Sequence, residues 1–364
     1  MKILFVNNAK MCSGAEEHLI DLAHEMVKNG DEPVFLTRSR WPFYDRLLNE
    51  GFIVHSVMRD GLKKISSLWD TVRIIRQEQP DVISVNREHD LYITYAAALC
   101  ARPFNTRKPK LAAVFHTPNS RQYPILNHFD GIVCTSHYTA ETFAKVNQSI
   151  RGRITVIHYG IELPEPRIKE KLNKNRPRFF FPERQFPIIG MAGELWKNQE
   201  ELVEAARILQ IFYPDITVAI VGSGHQSAID RLTTMIRDYG LEKNVVLTGR
   251  VPRSDMSKIF FDFDLSVSTH RNEGFGIVHI ESLAALTPVV AYNSGGLVEI
   301  LNKGGGYLVD GETSEFAQAI LDLLHDDTRR EQLGREGRAV VEEHFSIAAM
   351  CDSHRQFYRK LLCQ

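Results

Sequence analysis

The sequence has no CxxC pair. Its five cysteines, Cys12, Cys100, Cys134, Cys351 and Cys363, are scattered and odd in number, so their spacing suggests neither a zinc site nor a disulfide framework. It has little imbalance of charge: the formal net charge is -1 over 364 residues, which gives no global field to gather nucleic acid. It has no long hydrophobic run. The apolar stretch LYITYAAALCA (91–101) is about half the ~20 residues that a bilayer span needs. The opening MKILFVNNAK has only a short apolar run before two asparagines and reads as a first strand rather than a secretory leader. The cytoplasm is therefore the expected location. There is no GxGxxG fingerprint, no repeat and no low-complexity segment, which weakens a dinucleotide-binding reading.

What is present is a regular alternation. With 43% hydrophobic and 24% charged residues, the chain has the composition of a globular protein long enough for two cores. Short β-rich runs, KILFVN (2–7), PVFLT (33–37), FIVHSV (52–57), DVISV (81–85), LAAVFH (111–116), GIVCTS (131–136) and RITVIH (153–158), are separated by amphipathic stretches. In AEEHLIDLAHEMVKN (15–29), Leu19, Leu22, Ala23 and Met26 share one face, and Gly30 follows as a stop. Buried strands separated by helices predict a doubly wound parallel sheet. The stretch 162–187, rich in proline and charge, reads as a linker. The alternation then restarts with PIIGMAG (187–193), ITVAIVG (216–222), NVVLTG (244–249), DLSVST (264–269), PVVAYN (288–293) and GYLV (306–309). The expected organisation is a first α/β domain over 1–165, a linker over 166–186, a second α/β domain over 187–345, and a C-terminal helix over 346–364 that returns to the first domain.

Several turns follow strands, where ligands of such sheets bind. SGAEE (13–17) places Gly14 at a helix start, where backbone approaches closely and anions are favoured. IVGSGHQ (220–226) repeats this with Gly222 and Gly224, and AGELWKNQ (192–199) ends a strand in Gly193 with Lys197 just ahead of a helix. His116 ends a strand before a proline turn. DFD (262–264) could hold a divalent metal, but it introduces a strand and reads as a short acidic turn. In RNEGFGIVHIESLAALTPVVAYNSGG, Glu273 and Glu281 bracket Gly274, Phe275, Gly276 and Ile277. Two carboxylates so placed could cleave a glycosidic bond, hold a metal, or grip hydroxyls without proton chemistry. Glu273 falls on a loop and Glu281 about a turn into a helix beginning near Gly276. The free N–H groups of that helix suit a diphosphate, and the carboxylates can accept hydrogen bonds from hydroxyls on either side.

The whole pattern resembles the family 4 glycosyltransferases, retaining enzymes of the GT-B fold. The most specific part is the pair of glutamates with seven residues between them in EGFGIVHIESLAALTPVVAYNSGGLVEI. SGAEEHLIDLAHEMVKNG, VIHYGIE, IVGSG and LTGRVPRSDMSKIFFDFDLSVST support it. The resemblance implies two Rossmann-like domains facing across a cleft. It assigns Glu273 to donor-sugar hydroxyls and Glu281 to the ribose. Lys197 falls to the diphosphate, Gly14 lies close to it, and His116 meets the transferred sugar. Arg250 and Val251 go to the base, and the N–H groups of Phe275, Gly276 and Ile277 to sugar or phosphates. Two departures stand out: Glu194 follows Gly193 where the family often has arginine, with Arg271 as one substitute, and Tyr159 stands where asparagine is common.

The expectation is a retaining, metal-independent hexosyltransferase without a cofactor. It would move a sugar from a nucleotide diphosphate sugar, expected to be a UDP-sugar, to a saccharide, lipid-linked saccharide or other hydroxyl acceptor in bacterial polysaccharide, lipopolysaccharide or glycoconjugate synthesis. Alternatives are a catalytically weak GT-B binding partner, or a phosphorylase or nucleotide-sugar epimerase of similar architecture. No nucleic-acid partner is expected. The basic stretches RPFNTRKPK (102–110) and RIKEKLNKNRPR (167–178) leave open peripheral contact with anionic headgroups on the inner membrane face.

Overall fold

The computed structural model describes residues 1–10, 12–57, 64–102, 108–165, 171, 176, 178–184 and 186–364. Chain contacts divide it into two units, Met1–Glu162 with Ser346–Gln364, and Leu163–Phe345.

In the first unit the strands are β1 (Lys2–Val6), β2 (Glu32–Thr37), β3 (Ile53–Ser56), β4 (Val82–Val85), β5 (Lys110–Phe115), β6 (Gly131–Cys134) and β7 (Ile154–Val156). Helices α1 (Gly14–Lys28), α2 (Pro42–Asn49), α3 (Lys64–Glu78), α4 (Leu91–Ala101) and α5 (His137–Val146) connect them. Among the described residues the sheet runs β3-β2-β1-β4-β5-β6-β7, with every pairing parallel. Leu4, Val6, Val34, Ile83 and Val85 are fully enclosed, as expected of a sheet covered on both faces. The apolar run 91–101 is α4, a helix of this unit. Among the described residues no helix is long and apolar enough to cross a membrane.

The second unit contains β8 (Ile188–Ala192), β9 (Thr217–Val221), β10 (Val245–Gly249), β11 (Leu265–Ser268), β12 (Val289–Tyr292) and β13 (Gly306–Val309). Its helices are α6 (Gln199–Phe212), α7 (Gln226–Asp238), α8 (Met256–Asp262), α9 (Ile277–Ala284), α10 (Leu297–Leu301), α11 (Thr313–His325) and α12 (Asp327–His344). The strand order among the described residues is β10-β9-β8-β11-β12-β13, again parallel throughout. Val218, Ile220, Val267 and Val290 form its enclosed centre.

The C-terminal helix α13 (Ile347–Leu362) belongs to the first unit. Tyr358 donates its hydroxyl to Ser84 Oγ at 3.1 Å, Arg355 pairs with Asp31 at 2.6 Å, and Ser346 forms a parallel bridge with Ile161. Most of the stretch 166–186, expected to be a linker, lies outside the described residues; within it Lys171, Arg176 and Arg178 are buried and fall in the second unit. Lys171 Nζ donates to the carbonyls of Phe260 at 3.1 Å and Phe261 at 2.8 Å, where the end of α8 attracts cations. These three cations of the second basic stretch are therefore spent on the fold, and 103–107 of the first stretch lie outside the described residues.

Candidate functional site

In the second unit β8 and β11 lie side by side, and the chain leaves them for opposite halves of the sheet. Such a reversal of strand order opens a crevice at the carboxyl ends of the two strands. Lys197 lies in the turn after β8 and Glu273 in the loop after β11. Lys197 Nζ is 2.6 Å from Glu273 Oε2, with side chains 17% and 12% exposed. The Thr269 hydroxyl donates to the Asn198 carbonyl at 2.6 Å and ties the two loops together. Burial would raise the Glu273 carboxyl, but the adjacent Lys197 ammonium overrides it and holds the group below its ordinary range. A general acid needs the opposite shift, so this carboxylate suits the gripping of hydroxyls rather than proton donation.

Past Glu273 the backbone turns into α9. Gly276 caps the helix at φ 101°, and a Cβ there would lie 2.5 Å from Leu297 Cδ2. Only glycine fits on both counts. The glycine pair that follows β12 explains itself in the same way: Gly296 N–H donates to the Glu273 carbonyl at 2.7 Å, and a Cβ on Gly296 would sit 2.3 Å from the Gly274 carbonyl oxygen. The Phe275 ring is 2% exposed and packs edge-on against Phe345 at 5.5 Å. Gly274, Phe275, Gly276 and Ile277 thus form a tightly braced turn at the start of a helix, whose first N–H groups have no intrahelical acceptor.

Glu281 lies one turn into α9. Its Oε1 is 3.2 Å from Arg253 Nη1, a partner that the motif does not announce. Arg250 is exposed just past β10, while Val251 is half-buried against a small core that includes Ile188 and Phe260. Gly193 and Gly222 pack their loops face to face. The Gly193 N–H donates to the Val221 carbonyl at 2.9 Å and the Gly222 N–H to that of Gly249 at 3.0 Å. A Cβ on Gly224 would lie 2.7 Å from Leu195 Cβ. Arg271, the cation considered for the place of the arginine missing after Gly193, is engaged elsewhere in this structure. It is bound to Glu201 at 2.7 and 3.1 Å and stacked 3.6 Å over the Tyr292 ring.

The DFD turn, at the junction of α8 and β11, is buried. Asp262 and Asp264 are 0% and 5% exposed. Asp264 pairs with Arg176 at 2.8 Å and Arg178 at 3.0 Å and accepts from the Ile188 N–H at 2.8 Å. Asp262 accepts from the N–H groups of Phe179 at 2.9 Å and Phe180 at 2.7 Å. Both carboxylates have structural partners, which removes them as metal candidates.

The first unit gathers a second polar group at the carboxyl ends of β1, β4 and β5, again beside the reversal of strand order. Gly14 is the first residue of α1, and Glu16 closes a capping box with Ser13. Glu16 is fully buried. It accepts from Asn7 Nδ2 at 3.1 Å and Ser13 Oγ at 2.5 Å and pairs with Arg87. Burial works against its charge, yet Arg87, Ser13 and Asn7 hold the carboxyl below its ordinary range. His116 follows β5, with Nδ1 2.5 Å from the Tyr159 hydroxyl. Burial, reinforced by Arg87, lowers the imidazole to about 4, so it is neutral at pH 7. The unusual tyrosine in VIHYGIE is thus the partner of His116. Glu16, Arg87 and Arg253 are not singled out by the sequence; each is recognisable only from the groups it meets.

Known proteins match the chain in both halves. A Glycosyltransferase Family 4 model covers residues 12–165, and a Glycosyl transferases group 1 model covers residues 173–340. A GDP-mannose-dependent monoacylated alpha-(1-6)-phosphatidylinositol monomannoside mannosyltransferase of Corynebacterium glutamicum is 29% identical over 250 residues, 64% of this chain and 63% of the relative. The 2-deoxystreptamine glucosyltransferase of Streptomyces kanamyceticus is 24% identical over 78% of each chain. The crystal structure of Anabaena HepE in complex with UDP superposes with a TM-score of 0.82 at 21% identity, over 99% of this chain and 100% of that one. A glycosyltransferase from Rickettsia africae gives 0.80 at 20% identity, over 99% and 98%. With a two-domain GT-B fold and one family model matched in each half, the chain belongs to the group 1 glycosyltransferases of family 4.

Proposed function

We propose that this protein is a retaining glycosyltransferase that moves a hexose from a nucleotide diphosphate sugar, in first place a UDP-sugar, to a hydroxyl acceptor in the synthesis of a polysaccharide or glycoconjugate. The observation that carries the reading is the Lys197–Glu273 pair at 2.6 Å, set beside the N-terminus of α9 at the reversal of strand order. It puts a cation and a helix terminus where a diphosphate would bind, next to a carboxylate kept ionised for hydroxyls. Glu281 takes the ribose, and the loop of Arg250 and Val251 takes the base. The first unit takes the acceptor. The sugar–phosphate bond breaks with oxocarbenium character. Lys197 and the α9 terminus stabilise the charge that builds on the departing diphosphate. The acceptor hydroxyl attacks from the same face, and a departing phosphate oxygen takes its proton.

The relatives support the acceptor class: besides the phosphatidylinositol mannoside enzyme, a capsular polysaccharide biosynthesis glycosyltransferase of Staphylococcus aureus is 25% identical over 82% of this chain and 81% of the relative. Known proteins name different nucleotides, UDP-glucose in a HepE complex and GDP-mannose in the mannosyltransferase. The second is therefore the competing donor. In this reading the enzyme works in the cytoplasm, and acceptors of this kind support peripheral contact with the inner membrane face.

The reaction should need no divalent metal. The test is incubation with UDP- and GDP-sugars and a sugar acceptor, with and without chelator, and NMR of the early product. Transfer that survives chelation with the donor's anomeric configuration retained supports the reading. An inverted product, loss of activity on chelation with rescue by manganese, or release of a sugar phosphate or an epimerised nucleotide sugar would overturn it.

A further inference from the structure

Between the two glutamates of the motif lies a histidine that neither of them explains. His279 is the third residue of α9 and is 2% exposed, yet no described residue hydrogen-bonds its Nδ1. A buried nitrogen without a protein partner is rare and calls for a ligand, a water or a functional role. Helix side chains lean toward the helix N-terminus, and this one does. Its Cδ2 lies 3.1 Å from where a Cβ on Gly276 would sit. The Cδ2 edge of the imidazole thus lies against Gly276, in the turn that separates Glu273 from α9. It feels both members of the pair: Glu273 favours its charged form and Lys197 disfavours it, while burial dominates and lowers the ring to about 4. At neutral pH it is uncharged.

We propose that His279 is a specificity-determining contact for the transferred sugar, its Nδ1 exchanging one hydrogen bond with a ring hydroxyl. This rests on the nucleotide-sugar reading above. A neutral imidazole presents a donor or an acceptor at Nδ1 according to tautomer. A phosphate oxygen or carboxylate satisfies only the donor, whereas a hydroxyl satisfies either. Glu273, the neighbour that biases the ring, is itself the group assigned to sugar hydroxyls. A site built to hydrogen-bond a hydroxyl discriminates strongly against sugars that lack it or point it elsewhere, because its polar group is then stranded. The nucleotide, anchored farther along α9 at Glu281, should be indifferent to this residue.

The experiment is calorimetric titration of the wild type, His279→Leu and His279→Asn with UDP, UDP-glucose, GDP and GDP-mannose. Leucine fills the space without a polar atom, and asparagine keeps a hydrogen-bonding group near the Nδ1 position. For the sugar nucleotide that the wild type binds, leucine should weaken affinity about tenfold while binding of the matching diphosphate stays within about twofold, and asparagine should restore most of the loss. Equal effects on diphosphate and sugar nucleotide, or no effect on either, would overturn the proposal and leave the nucleotide-sugar reading standing. Should leucine unfold the protein, His279→Gln decides, since it keeps a polar group but carries it past the Nδ1 position: a selective loss of sugar-nucleotide affinity with intact diphosphate affinity supports the contact, and unchanged affinity for both overturns it. Failure of the wild type to bind any of the four would overturn the nucleotide-sugar reading and this proposal with it.

Discussion

Replacing Lys197 by alanine should destabilise the second unit, and the loss should fade on acidification. Lys197 Nζ and Glu273 Oε2 are 2.6 Å apart, with side chains 17% and 12% exposed. Fully exposed pairs contribute roughly 0–1 kcal/mol, and breaking a fully buried one costs about 3–5 kcal/mol because the remaining charge is stranded. This pair lies between, so the expected loss at pH 7.5 is about 2 kcal/mol, or a fall of about 4–8 °C in the midpoint of a unit this size. The sign with pH follows from the same groups. In the wild type, burial raises Glu273 and Lys197 lowers it further than burial raises it. The folded carboxyl therefore titrates below its unfolded value, and the pair's stabilisation is lost only as pH falls through that depressed value. Without the ammonium, burial dominates and the folded carboxyl titrates above its unfolded value. The variant then gains stability relative to the wild type as pH falls through that raised value. Thermal unfolding between pH 7.5 and 4.5 measures the difference. A cycle with Glu273→Gln isolates the pairwise term. Additive losses in the double variant, or a difference that does not shrink toward pH 4.5, would refute the argument and make Lys197 a surface charge.

Two further outcomes are expected. Glu281→Ala should weaken free nucleotide diphosphate binding by about 1.5–3 kcal/mol, while Glu273→Ala leaves that binding nearly intact and impairs transfer; equal losses in a calorimetric titration would contradict the division between ribose and sugar. Asp264→Asn should cost about 3–5 kcal/mol in chemical denaturation at pH 7, since it leaves the Arg176 and Arg178 guanidiniums buried without their carboxylate. Burial opposes ionisation of Asp264 but those two cations keep it below its ordinary range, so its contribution is present above the unfolded value and lost only as pH falls through the depressed one.

The sequence by itself determined the alternation of strands and helices. Runs such as KILFVN and ITVAIVG, short, rich in β-branched residues and bounded by turns, favour interior parallel strands, and every run quoted from the sequence overlaps a strand of the structure. It also determined the turn between Glu273 and Glu281, because a glycine at Gly276 followed by helical spacing leaves the backbone few choices. Which carboxylate meets which cation was not legible. Lys197 and Glu273 are 76 positions apart, and they meet because β8 and β11 are neighbours in space but not in sequence. The same holds for Arg253 beside Glu281, Tyr159 beside His116 and Arg87 beside Glu16. Nor was the burial of Lys171, Arg176 and Arg178 legible: these cations read as solvated until the carbonyls at the end of α8 and the carboxylate of Asp264 are seen to meet them. Local pattern sets which residues alternate between core and surface, because that depends on neighbours along the chain. Charge pairing and burial depend on strand order, and strand order exists only once the sheets have assembled.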